Sequence, residues 1–422
     1  MPSIDTLINE PSANPFRRLS VKRRQSSDGL FETDWQSLTS YVQTWGSLDS
    51  AIDDVRLNRF KHSGVNLKVK NDDGKFNPES SSYSFWSGYL TRYRTLVKIE
   101  AGYKDDAGTE YPTDPTVGVF IMDDEISIND HSNDVILNCS SLRSIFDEVR
   151  ARDVTGLGAV ATASDIIAKI RDHTDGSSRF VFRQFITSTA WSIQATTVNY
   201  NPATTTSLEE MTCWELMEKL AEAEGYVIYI TRTGGVTFKD RTPNTTASQF
   251  SFYGVGFPRM NLMRIDDFKE ALNKVYNFVR FKYLEPDTSS SFVTSGTITS
   301  VDPSNTPWKY GARVYEFENL LTPSATTAQT ISDTVFNYAK EVKNEMQLKA
   351  KFVPHIDILD RVDVSYQLDS IDNAIVWDGF DWDAVDWPAE GVSFDFTNRN
   401  FKIFQRRINL DDFSTQFRMR EI

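Results

Sequence analysis

Val65-Asn66-Leu67-Lys68-Val69-Lys70, running straight into Asn71-Asp72-Asp73-Gly74, decides the fold class of this 422-residue chain. Side chains on a strand repeat every two residues, so Val65, Leu67 and Val69 make a dry face and their polar neighbours a wet one. The four residues that follow are those that tight turns favour. A second clean alternation lies near the C-terminus, where Phe413, Thr415, Phe417 and Met419 face one way and Ser414, Gln416, Arg418 and Arg420 the other. Between them, the runs 96–99, 119–121, 126–128 and 135–139 are short apolar strands broken by Gly, Asn, Asp and Pro, the pattern of an antiparallel barrel.

The period then changes. Leu142, Ile145, Phe146 and Val149 follow helical spacing and predict a helix that closes a first barrel domain at 30–150. Region 151–262 reads as mixed α+β. Ser164 is placed to cap a helix carrying Ile166, Ile167 and Ile170; Thr212 and Glu215 form a capping box before a helix ending at Gly225; and Thr233-Gly234-Gly235 joins two strands of a hairpin. Strands return in 263–422, with Val275, Val279, Phe281 and Tyr283 on one face, then a helix over 327–350 striped by Ile331, Val335, Tyr338, Val342 and Met346. The strands around Val362–Val364 and Phe401–Phe404 follow, and Val275, Val279, Phe417 and Met419 are expected to hold the sheet of a second barrel. The expected fold class is therefore mainly β with an α+β insert: two tube-like antiparallel β-barrel domains plus a smaller mixed domain.

Two segments depart from that plan. Residues 1–29 form a polar, basic arm with Arg17, Arg18, Lys22, Arg23 and Arg24 on a chain whose formal net charge is -14. An arm of opposite sign to its body can dock on a neighbouring copy, so Arg17, Arg18, Arg23 and Arg24 are candidate interface residues. The insertion at 371–392 places Trp377, Trp382 and Trp387 at five-residue spacing beside aspartates, with Phe380 between them. Large rings with a polar handle suit an interface anchor or a sugar-stacking platform, and a self-packed insertion is the third reading.

Composition bounds the function. With 40% hydrophobic and 13% aromatic residues the chain is globular, and an acidic balance argues against a protein whose main task is gripping nucleic acid. Cys139 and Cys213 read as buried small residues and give no disulfide framework. No stretch reaches the ~20 apolar residues that cross a bilayer, and the first 30 residues lack the apolar core of a secretory signal, so synthesis and assembly in a cytoplasm are expected.

Catalytic motifs fail on inspection. Gly156-Leu157-Gly158-Ala159-Val160-Ala161 matches a dinucleotide fingerprint by letter, but Arg150-Ala151-Arg152-Asp153-Val154 before it is a poor buried strand. Asn71-Asp72-Asp73-Gly74 concentrates oxygens, yet Val69 occupies the first ligand position of a calcium loop and no glutamate closes it. His62, His131, His173 and His355 are scattered without zinc spacing. Neither catalytic nor cofactor-binding nor metal residues are therefore assigned, and no cofactor is expected. A carboxylate pair assembled by the fold stays open, with Asp381, Asp383 and Asp386 beside the tryptophans as its site in a carbohydrate-binding or glycan-degrading protein.

Several of these residues resemble a family. Asn71-Asp72-Asp73-Gly74-Lys75-Phe76-Asn77-Pro78 after an alternating strand, Tyr93-Arg94-Thr95-Leu96-Val97-Lys98-Ile99 and Val119-Phe120-Ile121 look like the opening domain of tailed-bacteriophage tail hub proteins. The helix and hairpin from Thr212 to Phe238, Asn273-Lys274-Val275-Tyr276-Asn277, Arg361-Val362-Asp363-Val364 and Phe417-Arg418-Met419-Arg420-Glu421 follow in the order of that family, across roughly 31–422. The resemblance implies a non-enzymatic virion protein, a homotrimeric hub of a tail tip or baseplate. Three chains with two barrels each would meet a sixfold tube. Its implied partners are a tail tube or distal tail protein, a tape measure, and a receptor-binding or central spike protein, with DNA passing through without specific binding. A distal tail ring protein is the alternative within the same virion.

Overall fold

The computed structural model describes residues 4–10, 14–23, 31–52, 60–74, 76, 95–122, 127–128, 134–157, 160–200, 210–254, 257, 260–270, 275–284, 290–296, 313–319, 321–322, 324–340, 343–367 and 395–422. It is mainly β, organised around two large barrel-like sheets.

The first sheet runs Gln36–Ser37, Asn14–Lys22, Thr95–Lys104, Thr116–Met122, Asp134–Ser141, Val65–Lys70, Val42–Thr44, with antiparallel neighbours throughout. The expected alternation is realised: Val65, Leu67 and Val69 are buried while Asn66, Lys68 and Lys70 are exposed. Asn71 closes the following turn as expected, its carbonyl accepting from the Gly74 amide at 3.0 Å and its side chain from the Phe76 amide at 2.9 Å. The segment read as part of an arm is a structural strand. Asn14–Lys22 pairs residue for residue with Thr95–Lys104 and buries Leu19 and Val21 completely. That two-residue period was short and sat among arginines, so charge masked it.

The second sheet runs Phe250–Tyr253, Arg361–Gln367, Asp395–Asn409, Ser414–Glu421, Asn344–Lys351, Leu262–Glu270; its first pairing is parallel and the rest are antiparallel. Thr415, Phe417 and Met419 are buried on its dry face, as the alternation required, but Ser414 and Arg420 of the expected wet face are buried as well. The two sheets are interlocked. Ser47–Ile52, between two strands of the first sheet, pairs with Gln405–Asn409 of the second, on the edge where Arg361–Gln367 leaves off. One apolar cluster accordingly joins both, from Leu19, Leu67 and Val97 to Leu348, Phe401 and Phe417.

A mixed region packs beside them. The helix Cys213–Glu224 carries the expected capping box, Thr212 with Glu215, and ends on Gly225 in the left-handed region at φ 70°. Thr212→Ala is expected to lower stability by about 1 kcal/mol, read as a fall in thermal midpoint; no change would show that packing alone holds the helix. The other helix, Ala163–Arg171, is capped by Thr162 rather than Ser164, whose hydroxyl instead contacts Thr196. The helix expected across 142–149 is only Ser144–Asp147. Val227–Ile230 and Val236–Lys239 form the hairpin. Its tip is pressed against the first sheet: Gly234 has φ +81°, and a Cβ there would lie 2.8 Å from that of Val119.

Val279, Phe281 and Tyr283 belong to neither large sheet. Phe278–Leu284 pairs with Ser290–Gly296 and Val314–Asn319 in a small sheet covered by the helix Ala325–Ala339, with a core of its own. Val275 is buried but lies outside this strand. Alternation announces a dry face without saying what covers it. The long helix likewise stops at Ala339, and Met346 sits in the strand Asn344–Lys351. Met346 fits both the helical stripe and the two-residue period of Met346, Leu348 and Ala350, and the second won.

Candidate functional site

Arg406 is opposite Phe417 in the register of the second sheet, on its dry face, with only 1% of its surface exposed. A charge there requires partners, since an unpaired buried ion costs several kcal/mol. Its Nη1 donates to the Ile356 carbonyl at 2.9 Å and its Nη2 to the Val117 carbonyl at 3.3 Å, with the Asp357 carboxylate 3.9 Å away. Val117 lies on the strand Thr116–Met122 of the first sheet. One side chain therefore bonds across both sheets.

Asp357 ties in the third body. Its carboxylate accepts the Arg232 backbone amide at 2.8 Å, and the Arg232 guanidinium donates to the carbonyls of Asp114, at 3.1 Å, and Thr116. Arg232 comes from the hairpin of the mixed region, so sheet, sheet and hairpin meet at one polar joint. Asn244 extends it, donating to the Ile358 carbonyl at 2.9 Å and the Asp360 carboxylate at 2.8 Å.

Two histidines flank the joint. The His62 ring stacks against Phe120 and Phe60, with Nδ1 2.8 Å from the Ser141 hydroxyl. Burial first, then the Arg406 charge, pushes its pKa down to about 4 against a smaller opposing pull from Asp357. Burial and Arg232 take His355 to about 3. Burial also lowers the Arg406 pKa, opposed by Asp357, and raises that of Asp360, opposed by the hydrogen bond from Asn244.

A second clamp closes the far end of the interlock. The Asp411 carboxylate accepts the backbone amides of Trp45 and Gly46, each at 3.0 Å, and pairs with Arg17 at 3.5 Å. The Arg17 guanidinium also donates to the Leu410 carbonyl and lies over the rings of Trp45 and Phe413.

The arginines expected at an interface are thus engaged within the chain. Arg17 holds Asp411; Arg18 pairs with Glu100 at 3.3 Å and Glu110 at 2.8 Å; Arg23 is buried against Glu32. Arg24, Trp377, Phe380, Trp382 and Trp387 lie outside the described residues, as do Asp381, Asp383 and Asp386. The joint of Arg406, Asp357 and Arg232 was missed in the sequence, although one signal was present: Arg406 falls in the apolar phase of Phe401, Ile403 and Ile408 once the bulge after Ile403 is counted.

The joint positions elements, fixing both large sheets and the hairpin to one another. Burial pushes the Cys213 thiol up to about 12, which leaves it protonated and unreactive. Among the described residues no group of His, Cys, Asp and Glu is placed to hold a metal ion. No helix described is long and apolar enough to cross a membrane.

No protein-family model and no curated protein sequence matches the chain. Solved structures do. The tail protein from Neisseria meningitidis MC58 superposes with a TM-score of 0.51 at 12% identity, over 96% of each chain. This chain shares the fold of that protein. Prophage tail protein gp18 from Listeria monocytogenes EGD-e (TM-score 0.47, 10% identity, 95% of this chain and 94% of that one) and the 43 kDa tail protein of prophage MuSo2 from Shewanella oneidensis (0.48, 10%, 96% and 98%) are also similar. The 12% identity to the Neisseria protein is compatible with a shared fold because a fold is set largely by which positions are apolar, and many side chains satisfy that pattern.

Proposed function

We propose that this chain is a structural virion protein of a phage tail, a homotrimeric hub in the tail tip or baseplate that joins the tail tube to the receptor-binding or puncturing apparatus. The observation that carries the reading is the tail-protein fold over nearly the whole chain, two barrel-like sheets included. The polar joint supports it, since a part that transmits force along a tube needs its two sheets fixed relative to each other. In this reading three copies supply six barrel-like sheets around a conduit, and DNA passes a wall it does not bind.

Native mass spectrometry of the purified chain across a range of concentrations tests it. Three copies of 48.1 kDa give about 144 kDa for a closed ring. A hexamer would favour a distal tail ring instead, and a chain that stays monomeric at the highest concentration would overturn a self-assembling hub.

A further inference from the structure

The surface of the mixed region holds a pocket of about 360 Å³ lined by Arg179, Phe180, Arg183, Gln184, Thr187 and Ser188. Three features mark it as a receptor for something aromatic and acidic. Phe180 is a large apolar ring left 39% exposed. Arg183 lies over that ring at 3.9 Å, and a guanidinium stacked on one face can accept a second ring on the other. Arg179 is exposed; its charge helps hold down the pKa of Asp175, but among the described residues it makes no ion pair within 4 Å.

The facing acids are already committed. Asp172 is shared by Arg171 at 2.6 Å and Arg183 at 3.4 Å, and Asp175 accepts the backbone amides of Ser177 and Arg179. The pocket therefore presents an apolar wall and a basic rim on an otherwise acidic chain.

One segment of the same sequence has the complementary chemistry. Residues 368–394 contain Asp369, Asp372, Asp378, Asp381, Asp383, Asp386 and Glu390 with no lysine or arginine, half of the chain's net charge of -14. Trp377, Trp382 and Trp387 each sit beside an aspartate, so every indole comes with a carboxylate for an arginine rim. The segment departs from Gln367 and returns at Asp395, residues paired with each other in the second sheet, whereas the pocket belongs to the mixed region.

We propose that this pocket is an interaction surface between copies, taking a tryptophan–aspartate pair from the 368–394 segment of a neighbouring chain. The proposal rests on the self-assembling reading above. An indole stacks on Arg183 outside Phe180, and the adjoining carboxylate is held by Arg179. This gives Trp377, Trp382 and Trp387 the interface role for which their spacing made them candidates.

The test uses the full chain with p-benzoylphenylalanine in place of Ser188, mixed as equal isotopically light and heavy preparations, irradiated and digested. Light-to-heavy cross-links onto peptides within 368–394 are expected, and Arg179→Glu with Arg183→Glu should cut their yield at least tenfold with native mass and circular dichroism as fold controls. Phe180→Ala, which leaves the charges, should reduce the yield as well. An oligomer without these cross-links, or with cross-links to some other segment, overturns the inference and leaves the hub reading standing. Cross-links confined to one isotope overturn it in favour of a contact within each chain. A monomer overturns both.

Discussion

Arg406→Ala is expected to lower the unfolding free energy by about 3–5 kcal/mol, the usual cost of removing one member of a buried ion pair. Three losses combine. The Ile356 and Val117 carbonyls lose their donor in a dry interior, at roughly 1–3 kcal/mol for each orphaned group. Asp357 loses the nearest buried cation while still accepting from the Arg232 amide. The side chain also leaves a void among packed neighbours. Arg406→Met separates these effects, since it restores most of the volume without the donors and should recover part of the loss. Urea midpoints of the two variants against the parent give the answer; a loss under about 1 kcal/mol for Arg406→Ala would show that the joint is solvated in solution.

Acid should weaken the fold through His62 and His355. Both have folded pKa values, about 4 and about 3, below the ordinary 6.5. Between those limits the unfolded chain binds more protons than the folded one, so stability rises with pH. The contribution is fully present above about pH 6.5 and is lost as pH falls through the folded values. A downward shift of this size corresponds to about 2–3 kcal/mol for His62 after allowing for its partial exposure. Asp360 acts with opposite sign, because burial raises its pKa and favours its neutral form as pH falls. His62→Gln isolates the term: it keeps a polar group for the Ser141 hydroxyl but cannot charge. The drop in stability from pH 7 to pH 4 should shrink by about 2 kcal/mol in that variant. An unchanged drop would assign acid sensitivity elsewhere.

Much of the fold was legible because strands write their pattern locally. Val65, Leu67 and Val69 need only their own neighbours to declare a buried face, and the capping box of Thr212 and Glu215 is complete within four residues. What failed was long-range. Nothing local distinguishes Phe281, packed under its own small sheet and helix, from Phe417, packed between the large sheets. Nor does the sequence near Ser47 say that its strand will pair with Arg406. The joint was hidden for the same reason, since it is built from residues 117, 232, 357 and 406 whose carbonyls and charges meet only after folding. The arginines at 17, 18 and 23, a cluster of like charge in sequence, each find a different carboxylate within the chain, which their own neighbours in sequence do not announce.

The interlock of Ser47–Ile52 with Gln405–Asn409 also sets an order of events in the cell. The partners are separated by about 360 residues, and at roughly 5–20 residues per second a ribosome needs about 20–70 s to cover that gap. Once Ser141 has been added the strands of the first sheet are all synthesised, yet Leu48 still awaits Ile408, its partner in the second. Completion therefore falls near the end of translation, and the nascent chain carries an unfinished edge long enough for a holding chaperone to matter.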